Sequence, residues 1–143
     1  MRLITFSHHG RARLGAEMSW HGQPYVLDFA QVRPGLPADI IQFLEAGAAA
    51  LAAARRALAT ADERCLLPAG EVIVLAPLLR PGKIVCLGHN YYDHMEQGRT
   101  EPPPYPTFFC KTANTIIGPG QPIIIPRLTT QVDYEAELAV VIG

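Results

Sequence analysis

Glu135 and Glu137 stand two residues apart in the otherwise apolar run Val132-Asp133-Tyr134-Glu135-Ala136-Glu137-Leu138-Ala139-Val140-Val141-Ile142-Gly143. Strand side chains repeat with period two, so on a strand the two carboxylates face the same way. Ionised carboxylates are rarely buried without a partner, and a shared divalent cation is one such partner. All-oxygen ligands suit a hard cation such as Mg²⁺ or Mn²⁺, whereas Zn²⁺ prefers nitrogen or sulfur. At least one further protein ligand is then expected. The alternative is a half-exposed strand that turns its carboxylates outward and buries Tyr134, Ala136, Leu138 and Val140.

A second segment, Lys83-Ile84-Val85-Cys86-Leu87-Gly88-His89-Asn90-Tyr91-Tyr92-Asp93-His94-Met95-Glu96-Gln97-Gly98, runs from a buried strand through a glycine turn into polar and aromatic residues. Side chains at the end of a rigid strand are well placed for chemistry. His94 is a candidate general base, because an unperturbed imidazole titrates near neutrality, with Glu96 or Asp93 to orient it. The competing structural role has Asp93 capping a short helix at 94–97 with His94 merely exposed. His8, His9 and His21 read as turn residues. His89 reads as a loop residue, or as a contact for an anionic substrate. Lys111 follows an apolar strand and either pairs with a site carboxylate or reaches solvent. There is no glycine-rich phosphate loop, serine nucleophile elbow or HExxH motif.

The elements that must position these residues fall into two stretches. Residues 2–7, 13–18 and 25–29 read as strands separated by glycine turns. Ile40, Leu44, Leu51 and Leu58 recur at helical spacings, which predicts an amphipathic helix over roughly 38–59 with Asp39 near its start. This first stretch, 1–76, is a small α+β unit. From 77 to 143 the chain becomes strand-rich, with short strands expected at 83–87, 107–110, 123–125 and 135–142, and a further one at 71–75. Between them, Glu101-Pro102-Pro103-Pro104-Tyr105-Pro106 must be extended, because proline blocks both helix and ladder donation. Gly118-Pro119-Gly120 reads as a tight turn.

Bulk properties narrow the function classes. The chain has 143 residues, 49% apolar and 17% charged, which describes a globular protein with room for about one core. A net charge of -1 with scattered basic residues gives no electrostatic case for nucleic acid or an anionic membrane. No apolar run approaches bilayer-spanning length and the N-terminus lacks a signal-peptide core. The three cysteines are too far apart for a disulfide framework or a CxxC zinc site, so reduced thiols and a cytoplasmic location are expected.

Taken jointly, three segments resemble the fumarylacetoacetate hydrolase family. They are Ile84 to His94, then Pro106-Thr107-Phe108-Phe109-Cys110-Lys111 with Ile117-Gly118-Pro119-Gly120-Gln121-Pro122-Ile123, and finally Val132 to Gly143. The resemblance is strong over 75–143, and the first stretch looks like the small N-terminal domain many members carry. It implies an α+β chain whose second part begins a β-rich roll holding one Mg²⁺ or Mn²⁺. It also implies Glu135 and Glu137 as metal ligands and His94 as catalytic base. A glutamate three residues after that histidine commonly assists it. Here position 97 is Gln and the nearest glutamate is Glu96, so either Glu96 takes the role or the dyad is altered.

Family members continue beyond this point to supply an aspartate ligand and a substrate-binding lysine, so the chain is expected to be about the first half of a member. The implied reaction for the complete protein is carbon–carbon bond hydrolysis of a 2-oxo or 2,4-dioxo acid, as in acylpyruvate hydrolysis. The alternatives are isomerisation of the 2-hydroxyhepta-2,4-diene-1,7-dioate type, decarboxylation of the oxaloacetate type, or an inactive truncated module. The resemblance also implies a homodimer at full length.

Overall fold

The computed structural model describes residues 1–98 and 101–142, with the backbone alone at 94, 97 and 98. They form two compact units, Met1–Leu78 together with the segment from Ile117 onward, and Leu79–Ile116. The architecture is mixed α+β, as the sequence implies.

The first unit is built on an antiparallel meander of β1 (Arg2–His8), β2 (Arg11–Trp20) and β3 (Gln23–Asp28). Both connections are two-residue turns, His9-Gly10 and His21-Gly22, and all four residues have φ between +49° and +77°. Positive φ at both central positions is the hairpin turn whose twist matches that of the flanking strands. Two short strands, β4 (Leu66–Pro68) and β5 (Ile73–Val74), complete a sheet of order β4-β3-β2-β1-β5. Five residue-to-residue steps lead from Pro68 to Ile73 and span at most about 18 Å. Four strand spacings across a flat sheet need about 19 Å, and a 3₁₀ turn at Ala69–Glu71 shortens the reach further. The sheet is therefore curled, with its two edges drawn together.

Alternation divides the sheet's side chains between two cores. Leu14, Ala16, Leu27 and Leu66 face the helices and pack with Phe29, Ile40, Phe43, Ala50, Ala54 and Ala57. Ile4, Phe6 and Val26 pack on the other face with Val72 and the half-buried Leu67. Gly15 lies beneath that second cluster. A β-carbon there would stand 2.4 Å from the Leu27 carbonyl oxygen and 2.9 Å from Phe6 Cε1. Gly15→Ala is expected to cost about 2–3 kcal/mol, since neither a strand carbonyl nor a packed ring can retreat cheaply. A lowered urea midpoint with an unchanged slope would record this.

The helical layer departs from the single helix expected over 38–59. It is α1 (Phe29–Val32), α2 (Ile40–Glu45) and α3 (Gly47–Ala59). Phe29 leaves the strand because the Asp28 carboxylate accepts a hydrogen bond from Ala30 N at 2.9 Å and starts a helical turn. Asp39 caps α2 by accepting from Ile41 N and Gln42 N. The break between α2 and α3 falls where Gly47 takes φ +62°, a conformation outside any right-handed helix. The expected strand at 71–75 shrinks to Ile73–Val74.

Beyond α3, Asp62 caps a 3₁₀ turn and accepts from the Arg64 guanidinium at 2.7 Å. That hydrogen bond holds the Asp62 carboxyl below its ordinary value of 3.8. A lowered folded-state value adds stability above the ordinary value and loses it as pH falls through the lower one. NMR titration should show the Asp62 midpoint below 3.8, returning toward it in Arg64→Ala.

Two expected strands are not formed. Residues 123–125 and 135–142 carry no strand in the described chain. Their alternation has the right period, but a strand exists only as a pairing, and no ladder among the described residues includes them. Ile124 and Ile142 are about nine-tenths exposed as a result. The turn at Gly118–Gln121 does form, closed by Gln121 N donating to the Gly118 carbonyl at 3.2 Å.

The second unit consists of β6 (Ile84–Gly88), α4 (Tyr92–Gly98) and β7 (Thr107–Lys111). β6 and β7 pair antiparallel in a two-stranded sheet. No helix among the described residues is long and apolar enough to cross a membrane.

Candidate active site

The pairing of β6 with β7 fixes where the polar segment emerges. Gly88 stands opposite Thr107, so residues 89–106 form an excursion whose two ends are held together by the ladder. His89 opens it with φ +52°, a left-handed backbone uncommon outside glycine. α4 follows, with Asp93 in its first turn, where a carboxylate complements the positive end of the helix. Met95 is the one buried residue of this unit among those described, at 6% exposure, and it anchors the helix.

A cavity of about 330 Å³ lies within this unit. His89, Asn90 and Tyr92 give it polar groups. Leu87, Gly88 and Met95 continue the wall, and Pro102, Pro103 and Pro106 bring the proline segment to it.

The sequence candidates are distributed as follows. His94 is the third residue of α4, and its side chain lies outside the described residues. Glu96 is exposed on the same helix, as is Asp93. Glu135 and Glu137 are exposed in the first unit's C-terminal segment, outside any strand. Among the described residues, no three His, Cys, Asp or Glu side chains are grouped so as to hold a metal ion. Glu135 and Glu137 nevertheless fit a hard divalent cation in donor chemistry, as two solvent-accessible carboxylates two residues apart. Cys65, Cys86 and Cys110 are free thiols. Across the β6–β7 ladder Cys86 faces Phe109 and Cys110 faces Val85, so the last two thiols occupy opposite sheet faces.

Sequence reasoning missed the cavity. It read His89 as a loop residue or as a contact for an anionic substrate, and the prolines only as an extended segment, without bringing the two together. The available signal was their position at the two ends of one strand-to-strand excursion.

Comparison with known proteins agrees over the same segments. The family model described as fumarylacetoacetate (FAA) hydrolase C-terminal matches residues 83–143. The chain is 44% identical over 145 aligned residues to "Oxaloacetate tautomerase FAHD2A, mitochondrial" of Bos taurus, an alignment covering 100% of this chain and 45% of that protein. The Homo sapiens protein of the same name is 43% identical, again over 100% of this chain and 45% of the relative. "Oxaloacetate tautomerase fahd2, mitochondrial" of Xenopus laevis is 39% identical over 100% of this chain and 44% of the relative. The chain thus spans less than half the length of these curated relatives. Their names overturn the expected cytoplasmic location. Unpaired cysteines do not identify a compartment.

Proposed function

Because the chain belongs to the fumarylacetoacetate hydrolase family, a family of enzymes that commonly use a divalent metal, we propose that it contributes to an enzyme interconverting the enol and keto forms of oxaloacetate. The observation that carries this reading is the 44% identity, along the whole chain, to a protein named for that reaction. The residue at position 97 supports it independently. Hydrolysis needs an activated water, and Gln97 cannot take the part of the glutamate that commonly assists the histidine in activating it. Helical side chains meet three or four residues apart, not two, so α4 sets Glu96 badly for pairing with His94.

Tautomerisation asks less of the chain. One group removes the enol hydroxyl proton and a proton is returned to carbon 3, with no water consumed and no change of oxidation state. In this reading His94 is the base and then the acid for that transfer. Glu135 and Glu137 hold Mg²⁺ or Mn²⁺ through carboxylate oxygens. When bound, the cation supplies Lewis-acid stabilisation of negative charge on the 2-oxo oxygen. A homodimeric assembly belongs to the same proposal and rests on the resemblance alone.

The test follows loss of enol absorbance of oxaloacetate with the 143-residue chain. In parallel, the chain joined to the C-terminal remainder of the bovine relative is assayed with Mg²⁺, with Mn²⁺ and with a chelator. Acceleration that the chelator abolishes is the expected result. Failure of both proteins to accelerate the interconversion would reject the proposal. Cleavage of acylpyruvates with no effect on enol oxaloacetate would restore carbon–carbon hydrolysis in its place.

A further inference from the structure

The chain leaves the first unit after Leu78 and re-enters it at Ile117, and the first unit grips both ends. On the outgoing side, Leu75 N donates to the Thr5 carbonyl at 2.9 Å and Thr5 Oγ1 donates to the Pro77 carbonyl at 2.7 Å. Thr5 is 6% exposed, so water competes poorly for its hydroxyl. On the returning side, Gly118 lies against the same stretch. A β-carbon at 118 would stand 3.4 Å from the Val74 carbonyl oxygen, from Leu75 Cα and from Ala76 N. The turn that begins there is braced, with Gly118 N donating to Gln121 Oε1 at 2.6 Å and Gln121 N donating to the Gly118 carbonyl at 3.2 Å. Gly118 is not among the glycines with positive φ. Close approach, not backbone conformation, is therefore what a side chain here would disturb. All these residues belong to the first unit.

We infer that Thr5 and Gly118 form a clasp that closes the stretch Leu79–Ile116 at its base and thereby keeps the second unit folded. That unit has little else to hold it. Its sheet has two strands, and a lone two-stranded sheet is marginal in water. Met95 is its one buried residue among those described. Bringing the ends of a long loop together costs entropy, and here the sheet of the first unit does so through the clasp. α4, with His94, lies inside the stretch. Loosening the clasp would release the helix that bears the proposed base and leave the β1–β2–β3 meander intact. The clasp does not rest on the reaction proposed above.

The test is amide hydrogen exchange, read by ¹H–¹⁵N NMR on the full 143-residue chain and on three variants. Gly118→Ala places one carbon at ordinary contact distance and should exchange like the parent. Gly118→Val adds two methyl groups to that carbon and pushes the turn off the strand. The protected amides of β6 and β7 should then exchange at least roughly tenfold faster, since the loop must close without help. Thr5→Val keeps the shape of the side chain, removes the hydroxyl and should act in the same direction. In all three, the amides in the centre of β2 should keep their protection. Unchanged exchange of β6 and β7 in either Gly118→Val or Thr5→Val would overturn the inference. Amides of β6 and β7 that are already unprotected in the parent chain would do the same. So would acceleration of β2 in step with β6 and β7, which marks a general loss of stability instead of a released loop.

Discussion

His94→Ala is expected to slow enol–keto interconversion about 10²- to 10⁴-fold, the usual contribution of a positioned acid–base group, with little change in KM. The reaction moves one proton from oxygen to carbon, so removing the carrier acts on the transition state rather than on ground-state binding. Alanine is a good helix former and α4 tolerates it. Lost activity would then not be lost fold, which far-ultraviolet circular dichroism would confirm. Added imidazole should restore part of the rate in the variant, a rescue that a purely structural histidine would not show. A loss smaller than tenfold, or no rescue, would remove His94 from the chemistry. Gln97→Glu is the companion variant. It restores the family glutamate three residues after the histidine and should leave tautomerisation in place.

Asp28→Ala is expected to destabilise the first unit by about 3–5 kcal/mol, the range for removing one partner of a buried ion pair. Asp28 is fully buried and accepts from Arg13 at 2.5 Å, from Ala30 N at 2.9 Å and weakly from Gln31 at 3.4 Å. Alanine would leave the Arg13 guanidinium, whose side chain is 24% exposed, without this carboxylate in an apolar setting. It would also uncap α1 at the point where the chain leaves the sheet. A drop in melting temperature of about 15 °C or more is the expected reading for a unit of this size. Replacing both partners, as Arg13→Met with Asp28→Leu, should cost far less than Asp28→Ala, because no uncompensated charge remains. If the double variant were as unstable as the single one, the carboxylate's backbone capping would be its main role instead of the ion pair.

The sheet of the first unit was legible because its information is local. Ile4 and Phe6 alternate with Thr5 and Ser7, and Gly10 and Gly22 mark turns, so the three strands could be read locally, while their register came from the two-residue turns seen in the fold. The helix break at Gly47 had only the glycine as a sign, and leucine spacing continued across it. The segments at 123–125 and 135–142 were misread for the opposite reason. Their period-two pattern is real, but pairing depends on partners that no local pattern names.

At the candidate site, residue type nominated His94, Glu135 and Glu137, and the family resemblance supplied the roles proposed for them. The cavity was hidden because His89 and Pro102 are neighbours only through the Gly88–Thr107 pairing. The left-handed φ of His89 is a tertiary property with no compositional signature.

The curled sheet of the first unit also sets an order of events in time. The β1–β2–β3 meander closes through contacts between near neighbours and can form on the microsecond scale of hairpins. The crossing from β4 to β5 acts as a latch: Leu75 N donates to the Thr5 carbonyl at 2.9 Å and Thr5 Oγ1 donates to the Pro77 carbonyl at 2.7 Å. These bonds join positions about seventy residues apart, and long-range closure comes late in folding. The latch is also held by few bonds, so it should be the first part of the sheet to open. The amides of Ile73 to Leu75 would then exchange with solvent before those in the centre of β2, long before the meander itself comes apart.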